Sequence, residues 1–347
     1  MASRQDYRIG WICALSIELA TAKAMLDTIH PPLPNAKNDR NKYILGSIGP
    51  HNIVMTCLPA GVYGVTSATA TAIQMRCSYD AIEICFMVGI AGGAPLEFDV
   101  RLGDIVVSEP TSIYGGVLQY GRGKAMNEGR IMPMGSLDKP PEVLLKALCA
   151  LKADHMLHGH RILEFYDEAF ERFPHLQHII SHPGTDKDHL FSPEYPHAIS
   201  DPSCHQCDLS RVVSRAQRPD NQPRVFYGLI ASGNMLVKDA KVRDQLSQQY
   251  GILCFETEAA GLMDIFPCLV IRGICDYADS HKNKRWQGYA AAVAAAYTKE
   301  LTLSLPSHEL ATCGTPGPET VAGKSLPTTF VGGRNKLVTS HHSLRNS

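Results

Sequence analysis

The sequence lacks any apolar stretch of the roughly 18 residues that a membrane-spanning helix needs. It also lacks an excess of either charge, because 33 basic and 34 acidic residues leave a formal net charge of −1. Residues 1–6 are polar and the apolar run that follows is interrupted by Glu18, which is not the pattern of a signal peptide. We therefore expect an intracellular protein, in the cytosol or nucleus, that binds neither nucleic acid nor an anionic membrane.

A second Cys-x-x-Cys motif is also missing. Most of the 11 cysteines lie in apolar runs, where a reduced thiol behaves as a small hydrophobic group. The polar segment 204–207 is the exception: Cys204 and Cys207 form half of a zinc site, and a structural zinc ion needs four ligands. His182, His189 and His197 lie nearby in the sequence. The pattern favours a reduced pair in a turn, so we predict no metal and no cofactor.

Several common catalytic motifs are absent as well. The glycine-bearing segments 61–64 and 89–93 match neither the dinucleotide-binding G-x-G-x-x-G pattern nor a phosphate-binding P-loop with its lysine. No serine stands in the strained turn after a strand where α/β hydrolases carry their nucleophile. The chemistry must therefore come from other residues.

Apolar runs alternate with helical patterns along the chain, which is typical of a mostly parallel sheet covered by helices. The patterns predict a hairpin that turns at residues 49–50 and a strand over 81–88 that ends in a glycine-rich turn at 89–93. Further on they predict a helix over 258–264 and a buried strand over 268–275.

The same patterns divide the chain into parts. Residues 1–305 are predicted to form one catalytic domain, interrupted at about 174–224 by an insertion that lacks clear periodicity and is long for a loop. Residues 306–347 are rich in Gly, Thr, Ser and Pro and poor in core residues, which predicts a disordered tail or linker.

Three carboxylates fall where predicted strands give way to helices. Glu18, Glu258 and Asp276 should gather at the carboxyl edge of the sheet, which is where open α/β sheets bind ligands. Carboxylates in a partly dry pocket can acquire separate pKa values and divide acid and base roles. The alternatives are structural, since Glu18 could complement a helix dipole and Asp276 could cap a helix.

Seven segments containing these residues resemble the nucleoside phosphorylase/nucleosidase superfamily, and closely the phosphorylase-type domain of fungal NLR-like proteins. They are IGWICALSIELA (9–20), LPAGVYGVTSA (58–68), MVGIAGG (87–93), RLGDIVVS (101–108), ASGNMLVKD (231–239), FETEAAG (255–261) and VIRGICDYAD (270–279). The resemblance implies an α/β fold, a three-layer α/β/α sandwich around a mixed, partly closed β-sheet. It also implies cleavage of the N-glycosidic bond of a purine nucleoside or nucleotide.

The resemblance further implies roles for individual residues. Asp276 matches the acid that protonates N7 of the departing purine, and Glu258 matches the carboxylate that holds the ribose hydroxyls. Thr257 stands where the superfamily usually has a methionine under the ribose. The full implied substrate-binding set is Ile90, Gly92, Leu236, Val237, Glu256, Thr257 and Glu258, with Val237 at a position where backbone groups read the base.

Water and phosphate are the two possible second substrates. Hexameric phosphorylases hold phosphate with a Gly-Asp-Pro-x-Arg turn after the first strand, and with Arg and Ser at positions that match Met87 and Ile90 of this chain. Glu18 instead matches the glutamate that orients water in methylthioadenosine/S-adenosylhomocysteine nucleosidases, and its charge would repel phosphate. Phosphate would also lose charge-assisted hydrogen bonds worth about 1.5–3 kcal/mol each. The sequence therefore favours hydrolysis, with a phosphorylase as the alternative.

A basic segment follows the last predicted strand. Lys282, Lys284 and Arg285 could bind a 5′-phosphate beside the start of the final helix, or form a solvated turn. ATP or AMP thus joins adenosine as a candidate substrate. Arginines of the insertion could contribute: Arg211, Arg215 and Arg218. A different class of function, a non-catalytic nucleotide-sensing module, also stays open. The superfamily implies a homodimer or a higher homo-oligomer.

Overall fold

The computed structural model describes residues 3–125, 131–133, 135–197 and 204–306. The predicted tail lies outside these residues, except for Pro306. The strands are β1 Ile9–Cys13, β2 Thr28–His30, β3 Tyr43–Ile48, β4 His51–Cys57, β5 Ile84–Gly93, β6 Ile105–Ser108, β7 Val117–Gln119, β8 Gly123–Ala125, β9 Ile131–Pro133, β10 Val225–Ser232, β11 Ile252–Glu256 and β12 Leu269–Asp276. The helices are α1 Ser16–Ala24, α2 Val65–Ser78, α3 Glu142–His158, α4 Ile162–Arg172, α5 Pro174–Ile180, α6 Ala240–Tyr250 and α7 Gln287–Leu303.

One mixed sheet of ten strands forms the centre of the molecule, in the order β11-β10-β6-β12-β5-β1-β4-β3-β2 with β7 beside β10. β1 pairs in parallel with β4 and β5, whereas β12 is parallel to β5 and antiparallel to β6. β11 also returns to pair with the end of β5, through Cys254 opposite Gly93 and Phe255 opposite Gly92. This pairing closes β5, β12, β6, β10 and β11 into a ring. The predicted mixed, partly closed sheet is confirmed.

Helices cover both faces of the sheet. On one face α7 packs on β12 and β5 and is flanked by α1, α3, α4 and α5. On the other, α2 packs on β4 and α6 on β11. α7 is buried from Gly288 to Thr302, which its alanine-rich sequence permits because small side chains let backbones approach closely. At Gly273 a β-carbon would collide with the carbonyl of Ala290, so α7 lies directly against β12 and fixes the strand that carries Asp276.

Three local predictions are wrong. Residues 89–93 do not form a turn but continue β5, because β11 and β12 provide hydrogen-bonding partners for their backbone. Residues 258–264 do not form an α-helix; only Ala259–Gly261 makes a short 3₁₀ turn. The predicted irregular insertion begins with a helix, α5, which starts at Pro174 in the first turn, where the missing N–H of proline costs nothing. The hairpin at residues 49–50 is confirmed.

Candidate active site

A buried arginine lies at the centre of the site. Arg272 of β12 is completely buried and forms an ion pair with Glu256, and its Nη2 lies 4.0 Å from Oε2 of Glu258. Burial by itself would lower the pKa of Arg272, but the carboxylates of Glu256, Glu258 and Glu18 outweigh it and raise the pKa. This arginine had no predicted role, although it lies within the VIRGICDYAD segment. One guanidinium thus neutralises part of the charge of three acidic groups.

Glu18 links the start of α1 to β5. Its Oε2 accepts hydrogen bonds from the N–H groups of Ala14 (2.8 Å) and Leu15 (2.9 Å), and its Oε1 accepts one from Ile90 (2.9 Å). The side chain is 3% exposed, and burial raises the pKa of Glu18, although Arg272 and the three N–H groups oppose the shift. Glu18 therefore supports the helix start, as the structural alternative requires, and also reaches the neighbouring strand.

Glu256 and Glu258 are held by backbone N–H groups. Glu256 accepts hydrogen bonds from the N–H groups of Glu258 (3.1 Å) and Ala259, and burial raises its pKa against the opposing effect of Arg272. Glu258 accepts a hydrogen bond from Gly64 N–H (3.3 Å) and another from the hydroxyl of Thr257. The hydroxyl of Thr257 is therefore hydrogen-bonded to the carboxylate of its neighbour Glu258.

The glycine-bearing turn before α2 brings that helix to the site. Gly64 has a φ of 94°, and a β-carbon there would collide with Asn234. Asn234 Oδ1 accepts a hydrogen bond from Val65 N–H (3.0 Å). The N–H of Gly64, just before α2, therefore points at Glu258, and the first N–H of α2 points at Asn234. Asn234 belongs to the ASGNMLVKD segment but had no predicted role.

Asp276 ends β12 with its carboxylate enclosed. Its Oδ1 accepts a hydrogen bond from Ala278 N–H (2.9 Å), and its Oδ2 lies 3.0 Å from Nζ of Lys282. Burial by itself would lower the pKa of Lys282, but the carboxylate of Asp276 outweighs the effect of burial and raises this pKa. A β-carbon on Gly92 would overlap Asp276, so the glycine allows the carboxylate to lie against β5.

Glu18 and Asp276 therefore contact the same strand two residues apart, at Ile90 and Gly92. At about 3.3 Å per residue, these two backbone positions are about 7 Å apart. The two carboxylates that the sequence predicted to be catalytic lie at neighbouring points on the end of β5.

Most of the predicted substrate-binding residues line one narrow cleft of about 10 Å³, which has space for about one water molecule. Its lining comprises Gly92, Tyr120, Met235, Leu236, Val237, Phe255, Glu256, Thr257, Ala278 and Lys282. Tyr120 was not anticipated, since no motif marks the segment of β7. Its hydroxyl donates to the carbonyl of Met235, and its ring packs edge-on against Phe255 at 5.7 Å.

The three basic residues after β12 do not lie together. Lys282 lines the narrow cleft, whereas Lys284 and Arg285 line a separate cavity of about 400 Å³. That cavity is also lined by Asp276, Lys187, His189, Cys204, His205, Cys207, Asp279, His281 and Asn283.

The arginines of the insertion already have acidic partners. Arg215 pairs with Asp188 at 2.9 Å and Arg218 with Asp104 at 2.7 Å, while Arg211 lies 3.8 Å from Asp208. They do not join Lys284 and Arg285 in the large cavity.

Of the three histidines near the Cys-x-x-Cys motif, one lies beside it. His197, Cys204 and Cys207 have ligand atoms within 4.8 Å of one another and could hold a metal. His182 packs against Trp286 and Tyr289 instead, and His189 packs against Phe191. Across the described ranges, no helix has the length and apolar character that crossing a bilayer requires.

Nucleosidases are among the solved structures that share this architecture. The futalosine hydrolase of Helicobacter pylori aligns with a TM-score of 0.54 and 15% identity, over 87% of this chain and 100% of that chain. A second match is a mutant of the 5′-methylthioadenosine/S-adenosylhomocysteine nucleosidase of the same organism, with 5′-methylthioadenosine in its active site. It aligns with a TM-score of 0.54 and 15% identity, over 86% of this chain and 99% of that chain. The chain has the nucleosidase fold. The predicted resemblance to the nucleoside phosphorylase/nucleosidase superfamily is confirmed.

Sequence relatives agree with the fold. A nucleotide-binding leucine-rich repeat (NLR)-like protein of Hyaloscypha variabilis is 44% identical over 307 residues, which are 86% of this chain but 29% of that protein. The chain thus spans under a third of the length of this fungal relative. The 5′-methylthioadenosine/S-adenosylhomocysteine nucleosidase of Mycobacterium bovis is 25% identical over 309 residues, 86% of this chain and 96% of that protein. No protein-family model matches the chain.

Proposed function

We propose that this nucleosidase-fold chain hydrolyses the N-glycosidic bond of a purine nucleoside or nucleotide. The observation that carries the proposal is the arrangement of Glu18 and Asp276 at two positions of β5 about 7 Å apart. An acid and a base at neighbouring points of one strand end can act on the same bound nucleoside, the acid on the purine and the base on a water beside C1′. The nucleosidases with the same fold support this reading.

In the proposed reaction Asp276 donates a proton to N7 of the purine, and the bond between N9 and C1′ breaks with its electron pair moving to the base. Water adds to the cation-like C1′, and Glu18 accepts the proton that this water loses. Glu258 holds the ribose hydroxyls. Each general acid or base step contributes about 10²–10⁴-fold to such rates. Burial favours this role for Glu18, because a carboxylate with a raised pKa is a stronger base.

Water fits this site better than phosphate does. Arg272 is the cation nearest the three glutamates in the described ion pairs, and its guanidinium is already shared among carboxylates. A phosphate dianion placed beside Glu18 would therefore meet negative charge, and among the described residues the guanidinium paired with these glutamates is already shared. The phosphorylase alternative would need other cations at this position.

Lys282 supports a nucleotide as the substrate. Lys282 lines the cleft and its side chain is 26% exposed, so the ammonium group can reach a phosphate chain while remaining beside Asp276. Lys284 and Arg285 face the larger cavity and support the nucleotide reading less directly.

The test is to incubate the purified protein with adenosine, inosine and ATP, each with and without inorganic phosphate. We expect free base together with ribose or its 5′-phosphorylated form, at a rate that phosphate does not increase. Accumulation of ribose 1-phosphate only when phosphate is present would establish the phosphorylase instead.

A second candidate is a nucleotide-binding module without turnover. Two observations favour it. A substrate would have to widen the narrow cleft, and it would have to compete with Lys282 for the carboxylate of Asp276. It would bind ATP in a calorimetric titration yet release no base from any of the three purine compounds.

A further inference from the structure

The residues His197, Cys204 and Cys207 form a compact cluster of metal-binding side chains outside the proposed catalytic site. Their ligand atoms all lie within 4.8 Å of one another. An ion at the centre of an equilateral triangle with that side would be about 2.8 Å from each atom. Zinc bonds to thiolate sulfur at about 2.3 Å and to imidazole nitrogen at about 2.0–2.1 Å. Side-chain shifts of about 0.5–0.8 Å would therefore bring all three atoms to bonding distance.

The backbone around the cluster is fixed by the segment that follows β12. The N–H of His197 donates to Oγ of Ser280 (2.9 Å), and the thiol of Cys204 donates to the carbonyl of His281 (3.4 Å). Asn283 Nδ2 in turn donates to the sulfur of Cys204 (3.8 Å). Metal binding would remove the thiol proton and hence the contact with His281, but the hydrogen bond from Asn283 suits a thiolate, which only accepts.

The Cys-x-x-Cys turn directs both sulfurs to one side. The N–H of Cys207 donates to the carbonyl of Cys204 (3.3 Å), and the next N–H, of Asp208, donates to the hydroxyl of Tyr195 (3.0 Å). Two cysteines separated by two residues in such a turn are the usual half of a zinc site, and His197 adds a third ligand atom within 4.8 Å of both sulfurs.

A second imidazole beside the cluster, that of His281, has a buried nitrogen without a hydrogen-bond partner. His281 is 7% exposed, and its Nε2 is among the buried polar atoms of the described residues with no hydrogen-bond partner. Its ring stacks on Phe191 at 4.1 Å and lies edge-on to His197 at 5.1 Å. A buried imidazole nitrogen normally has a hydrogen bond or a metal. His281 is outside the group whose ligand atoms lie within 4.8 Å of one another, so the proposed site has three protein ligands and leaves its fourth position open.

We propose that His197, Cys204 and Cys207 bind a zinc ion that fastens the insertion to the segment 280–283. That segment contains Lys282, the partner of Asp276, and borders the large cavity. The ion would thus hold one wall of the cavity and the position of Lys282. Other metals with a preference for thiolate and imidazole share this donor set, but zinc matches its tetrahedral demand without redox chemistry.

The direct test is metal analysis of the purified chain together with cobalt substitution. We expect about one zinc per chain, and we expect cobalt to give the thiolate charge-transfer and tetrahedral d–d absorption of a site with two sulfurs. Cys204→Ser and Cys207→Ser should lose the metal, and His197→Ala should weaken zinc binding at least tenfold, the lower end of what a mere supporting residue costs. Cys149→Ser and His205→Ala are matched controls and should keep it, because Cys149 is an exposed thiol on α3 and His205 is outside the cluster.

Alkylation of the unaltered protein tests the same proposal when a variant fails to fold. Zinc should protect Cys204 and Cys207 from alkylation until a chelator is added, whereas the exposed Cys77 and Cys149 should react at once. Chelation should also lower the melting temperature, and added zinc should restore it. A metal-free chain, equal alkylation with and without chelator, or a disulfide between Cys204 and Cys207 would each overturn the proposal.

Discussion

Lys282 lies in an ion pair with Asp276, with Nζ 3.0 Å from Oδ2, and the two side chains are 26% and 3% exposed. The sequence predicted separate roles for them: Lys282 as a phosphate ligand and Asp276 as the acid that protonates the leaving purine. Their contact means that any anion bound by Lys282 would compete with Asp276 for the ammonium group. A substrate phosphate that attracts the ammonium group would weaken the pair and free the carboxylate for the purine.

Separate replacement of the basic residues should distinguish their roles. We expect Lys282→Ala to raise the KM for ATP about tenfold, since one partly buried phosphate contact contributes about 1.4 kcal/mol. The KM for adenosine should stay within about twofold. Because Lys282 also touches Asp276, changes in kcat that are shared by both substrates do not bear on this prediction.

The paired variant Lys284→Ala/Arg285→Ala is the matched comparison. It removes two charges from the large cavity and should change the KM for ATP by less than about threefold. Steady-state kinetics at two salt concentrations would measure both variants. A larger effect of the paired variant than of Lys282→Ala would move the phosphate site to the large cavity.

Asp276→Asn should lower kcat by at least about 100-fold, because an amide cannot supply the proton that N7 requires. The amide oxygen can still accept the hydrogen bond from Ala278, so the melting temperature should change by only a few degrees. Asp279→Asn is a control from the same segment, a buried carboxylate 3.7 Å from Arg243. A variant of Asp276 with half of the original rate would remove this residue from the mechanism.

The pH dependence of the reaction should reflect Glu18. Burial raises its pKa above the ordinary glutamate range, and a base must be ionised to accept a proton. The rate should therefore fall as the pH decreases through this raised pKa, at a higher pH than an exposed glutamate would cause. Glu18→Gln should abolish turnover at every pH. A profile of kcat against pH would check both, and an acid limb unchanged in Glu18→Gln would contradict the assignment.

Gly89→Ala tests whether the buried side chains of Arg272 and Glu18 require a residue without a β-carbon at this position of β5. An alanine methyl group there would overlap the guanidinium of Arg272 and the carboxylate of Glu18. Overpacking of this kind costs about 1–3 kcal/mol, so we expect a lower free energy of unfolding together with a reduced rate. Gly121→Ala is the matched control, because nothing lies within 4 Å of its added methyl group. Chemical denaturation and initial rates for the two variants would give the comparison.

Local sequence patterns found the helices and strands with a clear period or a clear boundary. β12 contains all but the first residue of the predicted buried strand 268–275, and the hairpin of β3 and β4 turns at the predicted position. Residues 89–93 misled the prediction, because glycines usually mark turns. Here they extend a strand, since backbone partners on β11 and β12 stabilise it and nearby charged side chains need the space. Such partners come from residues more than 100 positions away and leave no local pattern.

The sequence by itself determined the alternation of strands and helices, the superfamily resemblance, and the placement of Glu18 and Asp276 at strand ends. Those features depend on hydrophobic period and on short motifs, which are local. Only the tertiary structure decided that Arg272 is shared by three glutamates, that Lys282 pairs with Asp276 while Lys284 and Arg285 face another cavity, and that His197 meets Cys204 and Cys207. The physical reason is that charge neutralisation and metal coordination depend on distances of 3–5 Å between atoms, which the ring closure of the sheet and the packing of the insertion set.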